Sequence, residues 1–393
     1  MEKSHLSRRY KELVTVPTAP FREHWVCEVL DELLAGIPGV TLTIDRYGNR
    51  MARLKRGEPS GPPLVFVAHT DHPGFVFPET GAESRELPDD TYRCTALFEG
   101  RVRDEFFVNG NVRLFRSNDD PGIAGVITMA TPVDPVTDNR VIEISTQENP
   151  EGALLAMWDV DVFEETPTLY RGRVCDDLMG CAAMVEALAR LSESSEAIDV
   201  AMLFTRAEEA GFCGTLCILN DQELREALNP ESLFVSVEIS GETPEIQLGE
   251  GSVIRVGDQS TIFDGEMANL IWSAATTSGI NARRALMDRG TCEATPISLA
   301  GLRVGGICSP VRNYHNMNTK SGAVDAEAVS ISDCEALVGL ITEVTRFVGA
   351  GTLPNVKIVS EFELFIQKGQ DCLTGNSANT EKKLESLLPK PNW

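Results

Sequence analysis

Three runs of almost unbroken apolar character mark the chain: Leu64-Val65-Phe66-Val67-Ala68, Val200-Ala201-Met202-Leu203-Phe204 and Leu233-Phe234-Val235-Ser236-Val237. A half-exposed strand alternates apolar and polar positions, whereas a continuous run is buried on both faces, as in the middle of a sheet covered by helices. Stretches of helical spacing lie before and between them. Trp25, Val26, Val29, Leu30, Leu33 and Leu34 follow the break at Pro17 and Pro20 and stop at Gly36 and Pro38, and Met179 to Leu191 is rich in Ala, Leu and Met. Val40 to Ile44 and Met51 to Leu54 read as strands about a turn at Tyr47-Gly48-Asn49. A last amphipathic helix is predicted from Leu337, Val338, Leu340, Ile341, Val344 and Phe347, with Ser332 as its N-cap and Glu335 completing a capping box. Strands alternating with helices predict an α/β fold, a mainly parallel sheet flanked by helices. From about Phe77 to Tyr170 the texture changes to short alternating runs, such as Val112 to Phe115, Val126 to Thr128 and Val141 to Ile144, punctuated by Gly, Asn, Asp and Pro. The predicted organisation is therefore a discontinuous α/β domain over 1–76 and 171–365, an inserted β-rich domain over 77–170, and a polar tail over 366–393.

Composition narrows the partners. Of 393 residues 42% are hydrophobic and 24% charged, an ordinary globular balance, and the formal charge of −24 repels nucleic acid and anionic lipid. No stretch approaches the roughly 20 apolar residues of a membrane span, and the polar start from Met1 to Tyr10 has no signal-peptide core behind it, so the expected address is cytoplasmic. The ten cysteines show no CxxC pairing and are expected to be reduced, buried packing residues.

Each buried run is followed at once by side chains of metal-binding type: His69 and Asp71, then Glu208 and Glu209, then Glu238. In open α/β sheets ligands gather at the carboxyl ends of strands, so groups distant in sequence converge on one crevice. A single polar residue there is usually a loop side chain facing water; three in register need another reason. Asp176 precedes a helical stretch, where a carboxylate serves equally to cap amides. His315 follows the apolar run ending at Ile307-Cys308, and a lone histidine is more often packed than ligating. Two divalent ions about 3.5–4 Å apart need one bridging carboxylate and about two terminal donors each. The set meets that count: Asp176 bridges, His69 and Glu238 complete one ion, and Glu209 and His315 the other. Asp71 is suited to hold the second nitrogen of His69. Glu208 is left as a general base.

In this order, Ala68-His69-Thr70-Asp71, Asp176-Asp177 with Gly180-Cys181, Glu208-Glu209 with Gly211, Glu238-Ile239-Ser240 before Thr243-Pro244, and Tyr314-His315 resemble the glutamyl and deblocking aminopeptidases. These are co-catalytic metallopeptidases that often build tetrahedral shells. The resemblance spans roughly residues 10–350. It implies the same ligand set, with Glu208 as base and Asp71 orienting His69. It further implies a homo-oligomer assembled through the β-rich insertion, and removal of N-terminal residues from peptides by a water bridging two metals. Zinc is the expected metal, with cobalt or manganese as alternatives. The chain departs from the pattern at Glu238, where the family usually has Asp, at Leu178, where an Arg is common, and at Thr291-Cys292-Glu293, where an Asp usually follows the Thr. Because the related acylase and carboxypeptidase branch accepts Glu at the Glu238 position, a di-zinc acylase or carboxypeptidase is the rival reading. It requires a basic clamp for a free carboxylate, with Arg283, Arg284 and Arg312 as candidates. A non-catalytic metal-binding protein is the third reading, for which the extra carboxylate Glu208 has no use.

Overall fold

The continuous apolar runs lie at the middle of an 11-stranded sheet. In a computed structural model, which describes residues 5–134, 139–229, 231–352, 362–366 and 370, they are the strands Leu64–His69, Ile198–Thr205 and Leu233–Gly241. Their burial on both faces has a plain cause. Leu64, Phe66 and Ala68 point into a core shared with helices His5–Thr15, His24–Ala35, Leu178–Ser192 and Ile331–Gly349, while Val65 and Val67 point into a second core with Ile218, Leu219 and Ile297. Sheet and helices thus exclude water from both sides of each central strand.

The expectation of a mainly parallel sheet holds at the centre of the large sheet and not at its margins. Parallel pairing joins Ile198–Thr205 to Leu64–His69, Leu64–His69 to Leu233–Gly241, Leu233–Gly241 to Val304–Arg312, and Ser252–Asp258 to Ala282–Met287. The remaining pairings are antiparallel. At one margin the strands Val40–Ile44 and Arg50–Arg56 are joined by a short turn, and a short turn can only reverse the chain. The helix-cap expectation is also corrected. The last helix is capped from Ser330, without a side-chain bond, and Ser332 lies inside it, its hydroxyl 2.9 Å from that of Ser330.

A second sheet closes on itself, because Gly74–Val76 pairs with both Leu155–Trp158 and Tyr92–Glu99. Its interior is aromatic, with Phe75, Phe98, Phe107 and Trp158 in edge-on and tilted contacts. Phe163–Glu165 and Leu169–Gly172 return the chain to the large sheet. Of the polar end, only residues 362–366 and 370 lie within the described residues; the tail reading over 366–393 otherwise falls outside them. Among the described residues no helix is long and apolar enough to cross a membrane. The nine described cysteines are unbonded, most of them buried; Cys372 lies outside the described residues.

Candidate metal centre

The parallel strands deliver their carboxyl ends to one place. His69 is the last residue of its strand, Glu238 lies near the end of the neighbouring one, and Glu208 and Glu209 follow Ile198–Thr205. Asp176 comes from the segment before helix Leu178–Ser192, joined to Asp177 by a cis peptide bond, and His315 from a short turn after strand Val304–Arg312. All seven sequence-predicted residues are brought together. His69 Nε2 lies 3.3 Å from Asp176 Oδ1 and 3.6 Å from Glu238 Oε1, and His315 Nε2 lies 3.5 Å from Asp176 Oδ2 and 3.0 Å from Glu209 Oε1. Two groupings of metal-binding geometry therefore share Asp176: His69, Asp176 and Glu238, and Asp176, Glu209 and His315. Glu208 Oε2 stands 4.0 Å from His69 Nε2.

Burial without partners sets this cluster apart from an ordinary ion-pair network. Both carboxylate oxygens of Asp176, Oε1 of Glu209, Oε2 of Glu238 and Nε2 of His315 are buried and make no well-formed hydrogen bond, facing one another, His69 and, for Glu238, Arg255 at 3.9 Å. Such groups each cost free energy unless something polar meets them. The capping alternative for Asp176 is thereby answered, since its carboxylate accepts no helix amide. The electrostatics agree. Burial pushes the Glu208 carboxyl well above its ordinary range and that of Glu238 up to about 7, with His69 opposing in part. Burial also works against charge on Asp176, but His315 and His69 outweigh it and hold that carboxyl low. Burial disfavours charge on both imidazoles, yet the charge of Glu208 beside His69, and of Glu209 beside His315, raises both well above their usual range. The site draws in positive charge, which suits a divalent cation with mixed oxygen and imidazole donors.

The surroundings fix these groups by hydrogen bonds to backbone. Asp71 accepts the amides of Glu208 and Glu209, both at 3.0 Å, while Nδ1 of His69 lies 3.2 Å from the Asp71 carbonyl and 3.6 Å from its Oδ1. Nδ1 of His315 meets the carbonyl of Arg101 at 2.7 Å, which turns its Nε2 toward the cluster. Buried Glu293 accepts the hydroxyls of Thr205 and Thr215, which flank the loop that carries Glu208, and so braces that loop. Sequence reasoning missed Glu23, which accepts the Ala207 amide, and Glu327, which accepts amides from both Asp176 and His315. No spacing rule reveals a carboxylate whose partners are backbone amides.

Beside Glu238 lies a cavity of about 550 Å³. Arg255, Arg289, Arg312 and Lys320 line it; Arg283 and Arg284 do not. Arg312 pairs with Glu242 at 3.2 Å, whereas among the described residues Arg289 and Lys320 have no acidic partner.

Residues 48–331 match the model of the M42 glutamyl aminopeptidase family. Among solved structures, the chain resembles the TET1 peptidase of Pyrococcus horikoshii, with 21% identity, 86% of this chain and 99% of that one covered, and a TM-score of 0.66. It also resembles an aminopeptidase from the archaeon Desulfurococcus kamchatkensis, with 19% identity, coverage of 87% and 94%, and a TM-score of 0.67. A TET aminopeptidase from a marine-sediment Thaumarchaeota archaeon has 18% identity, coverage of 88% and 99%, and a TM-score of 0.68. These likenesses establish the fold, and the family match covers most of the chain. The chain belongs to the M42 glutamyl aminopeptidase family and is a metal-dependent aminopeptidase.

Proposed function

We propose that the protein removes N-terminal residues from peptides at a two-metal centre that Asp176 would share, with His69 and Glu238 available to hold one ion and Glu209 and His315 the other. The observation that carries this reading is the sharing of Asp176 by two buried groupings, five of whose inward atoms make no hydrogen bond. When bound, two divalent ions lower the pKa of a water and polarise a carbonyl. The chain's own residues do the rest. Glu208, held by its amide to Asp71, takes a proton from the attacking water and delivers it to the leaving amine. The peptide's free α-amine is oriented by the surrounding carboxylates, which makes the site selective for N-termini. Zinc is the proposed occupant, with cobalt or manganese able to replace it.

The family's description as glutamyl, together with Arg289 and Lys320 in the cavity that Glu238 also lines, which have no acidic partner among the described residues, supports a preference for an acidic N-terminal side chain. The closed β sheet is the proposed assembly element. One solved TET1 structure is described as a dodecamer, another as assembling into a tetrahedron or a large octahedral shell. A cytoplasmic address belongs to the same proposal. The test is mass spectrometry of a pool of free and N-acetylated peptides, half of them C-terminally amidated, with metal content measured in parallel. Stepwise loss from free N-termini, fastest at Glu and Asp and indifferent to amidation, with two equivalents of metal, is expected. Release of acyl groups or of C-terminal residues moves the assignment to the acylase or carboxypeptidase branch.

A further inference from the structure

We infer that Glu327 is a positioning residue that presets the half of the metal centre formed by Glu209 and His315; the inference rests on the two-metal reading above. Glu327 is fully buried, and each of its oxygens faces a different part of the site. Oε2 accepts the amides of Cys175 at 2.6 Å and Asp176 at 3.1 Å, and Oε1 accepts the amide of His315 at 2.8 Å. One carboxylate thus joins the segment that carries the shared ligand to the turn that carries a terminal one.

That turn needs an external hold. Asn313, His315 and Asn316 all have left-handed backbone, with φ of 59°, 55° and 62°, a conformation that side-chain-bearing residues adopt rarely and keep only when surrounding contacts enforce it. Between His315 and Glu327 the chain leaves on a small hairpin, Met317–Asn318 against Ala323–Val324, and returns through a bond from the Asp325 amide to the Asn316 carbonyl. The hairpin brings Glu327 back beneath the residue it must hold. A second tie runs in parallel: the ring nitrogens of His72 lie 2.6 Å from the Asp176 carbonyl and 3.1 Å from Oδ1 of Asn316. His69 and Glu238 have no hydrogen bond to Glu327. Loss of the Glu327 carboxylate therefore falls mainly on the position that needs both Asp176 and His315.

The test is titration of the metal-free full-length protein with Co²⁺, followed by visible absorption and calorimetry, with His315→Ala identifying which equivalent belongs to His315. In wild type two equivalents bind; any other number sinks the two-metal reading, not the role of Glu327 alone. In Glu327→Gln the equivalent assigned by His315→Ala weakens about 10- to 100-fold, the range seen when a residue orienting a ligand is removed. The other equivalent shifts at least tenfold less. Asp333→Asn is the control, because Asp333 is equally buried and accepts the amides of Gly249 and Gly251 away from the metals. It leaves both equivalents in place. Unchanged affinities in Glu327→Gln, or equal weakening of both equivalents, overturn the inference. Should Glu327→Gln not fold, Glu327→Asp decides: it keeps the charge but cannot reach both sides, and wild-type affinity at both equivalents overturns the inference.

Discussion

At the scale of the residue, the division of labour between Glu208 and Glu209 turns on where their adjacent backbones place two carboxylates. Glu209 reaches His315 and Asp176, while Glu208 stays 4.0 Å from His69 and outside the Asp176 groupings. Glu208→Gln should therefore lower kcat by about 10²- to 10⁴-fold, the usual contribution of a positioned base, and leave metal content unchanged. Turnover within a few-fold of wild type would assign the base elsewhere. A second prediction concerns pH. Glu238 titrates near 7 in the metal-free fold against 4.5 ordinarily, so its protonated form is the one the fold favours. Its contribution to stability is fully present below 4.5 and is lost as pH rises through about 7. Glu208, raised by burial, acts in the same direction. So do His69 and His315, whose raised values make protonation stabilising until pH passes them. Asp176, held low, contributes from acid pH upward and adds no slope here. In chelator, the melting temperature should fall between about pH 5 and 8, and divalent-ion affinity should rise over the same interval as bound protons are displaced. Calorimetry with and without Zn²⁺ measures both, and a melting temperature that rises with pH in chelator contradicts the assignment.

At the scale of the element, the helix Leu178–Ser192 has to begin beside the shared ligand, and Gly180 permits it. A Cβ at Gly180 would run into the carboxylate of Asp177. Alanine favours a helix interior over glycine by about 1 kcal/mol, yet Gly180→Ala should destabilise the protein and displace Asp176, lowering both the denaturation midpoint and the metal stoichiometry. An unchanged stoichiometry would show that the segment has room to move. The same elements show what the sequence makes legible. The central strands are readable because two cores remove water from both of their faces, which leaves an unbroken apolar run. His69, Glu208, Glu209 and Glu238 are readable because they sit where those runs stop. The antiparallel margins are less so, since apolar content does not encode strand direction. The start of the last helix lies among serines, and the strand Glu327–Ser330 running straight into it decides for Ser330 over Ser332. Glu327, Glu23 and the Arg101 carbonyl act through backbone groups every residue shares, so no pattern of side chains points to them.

At the scale of the whole molecule, charge and apolar surface pull in opposite directions. Each chain carries a formal charge of −24, so copies repel one another, while the closed sheet exposes Val126 and Met129 on the strand Ile123–Asp134. Val108 is exposed too, next to Asn109, whose amide bonds to Ile127 of the same strand. Covering that apolar surface favours association and is little affected by moderate salt, whereas repulsion between like-charged copies is screened over about 8 Å at physiological ionic strength. If this face joins subunits, association should strengthen as salt rises from about 0.02 M to about 0.3 M, the reverse of an interface held by surface ion pairs. Light scattering after gel filtration should show a mass that is a multiple of 42.9 kDa and shifts toward the larger species with salt. A charge placed on the patch, Met129→Glu, should move the population to smaller species at every salt concentration. Because the patch lies on the outside of the closed sheet and the metal ligands at the carboxyl ends of the large one, the variant should keep its metal stoichiometry. Assembly that weakens with salt, or that ignores Met129→Glu, would assign the contact to another face.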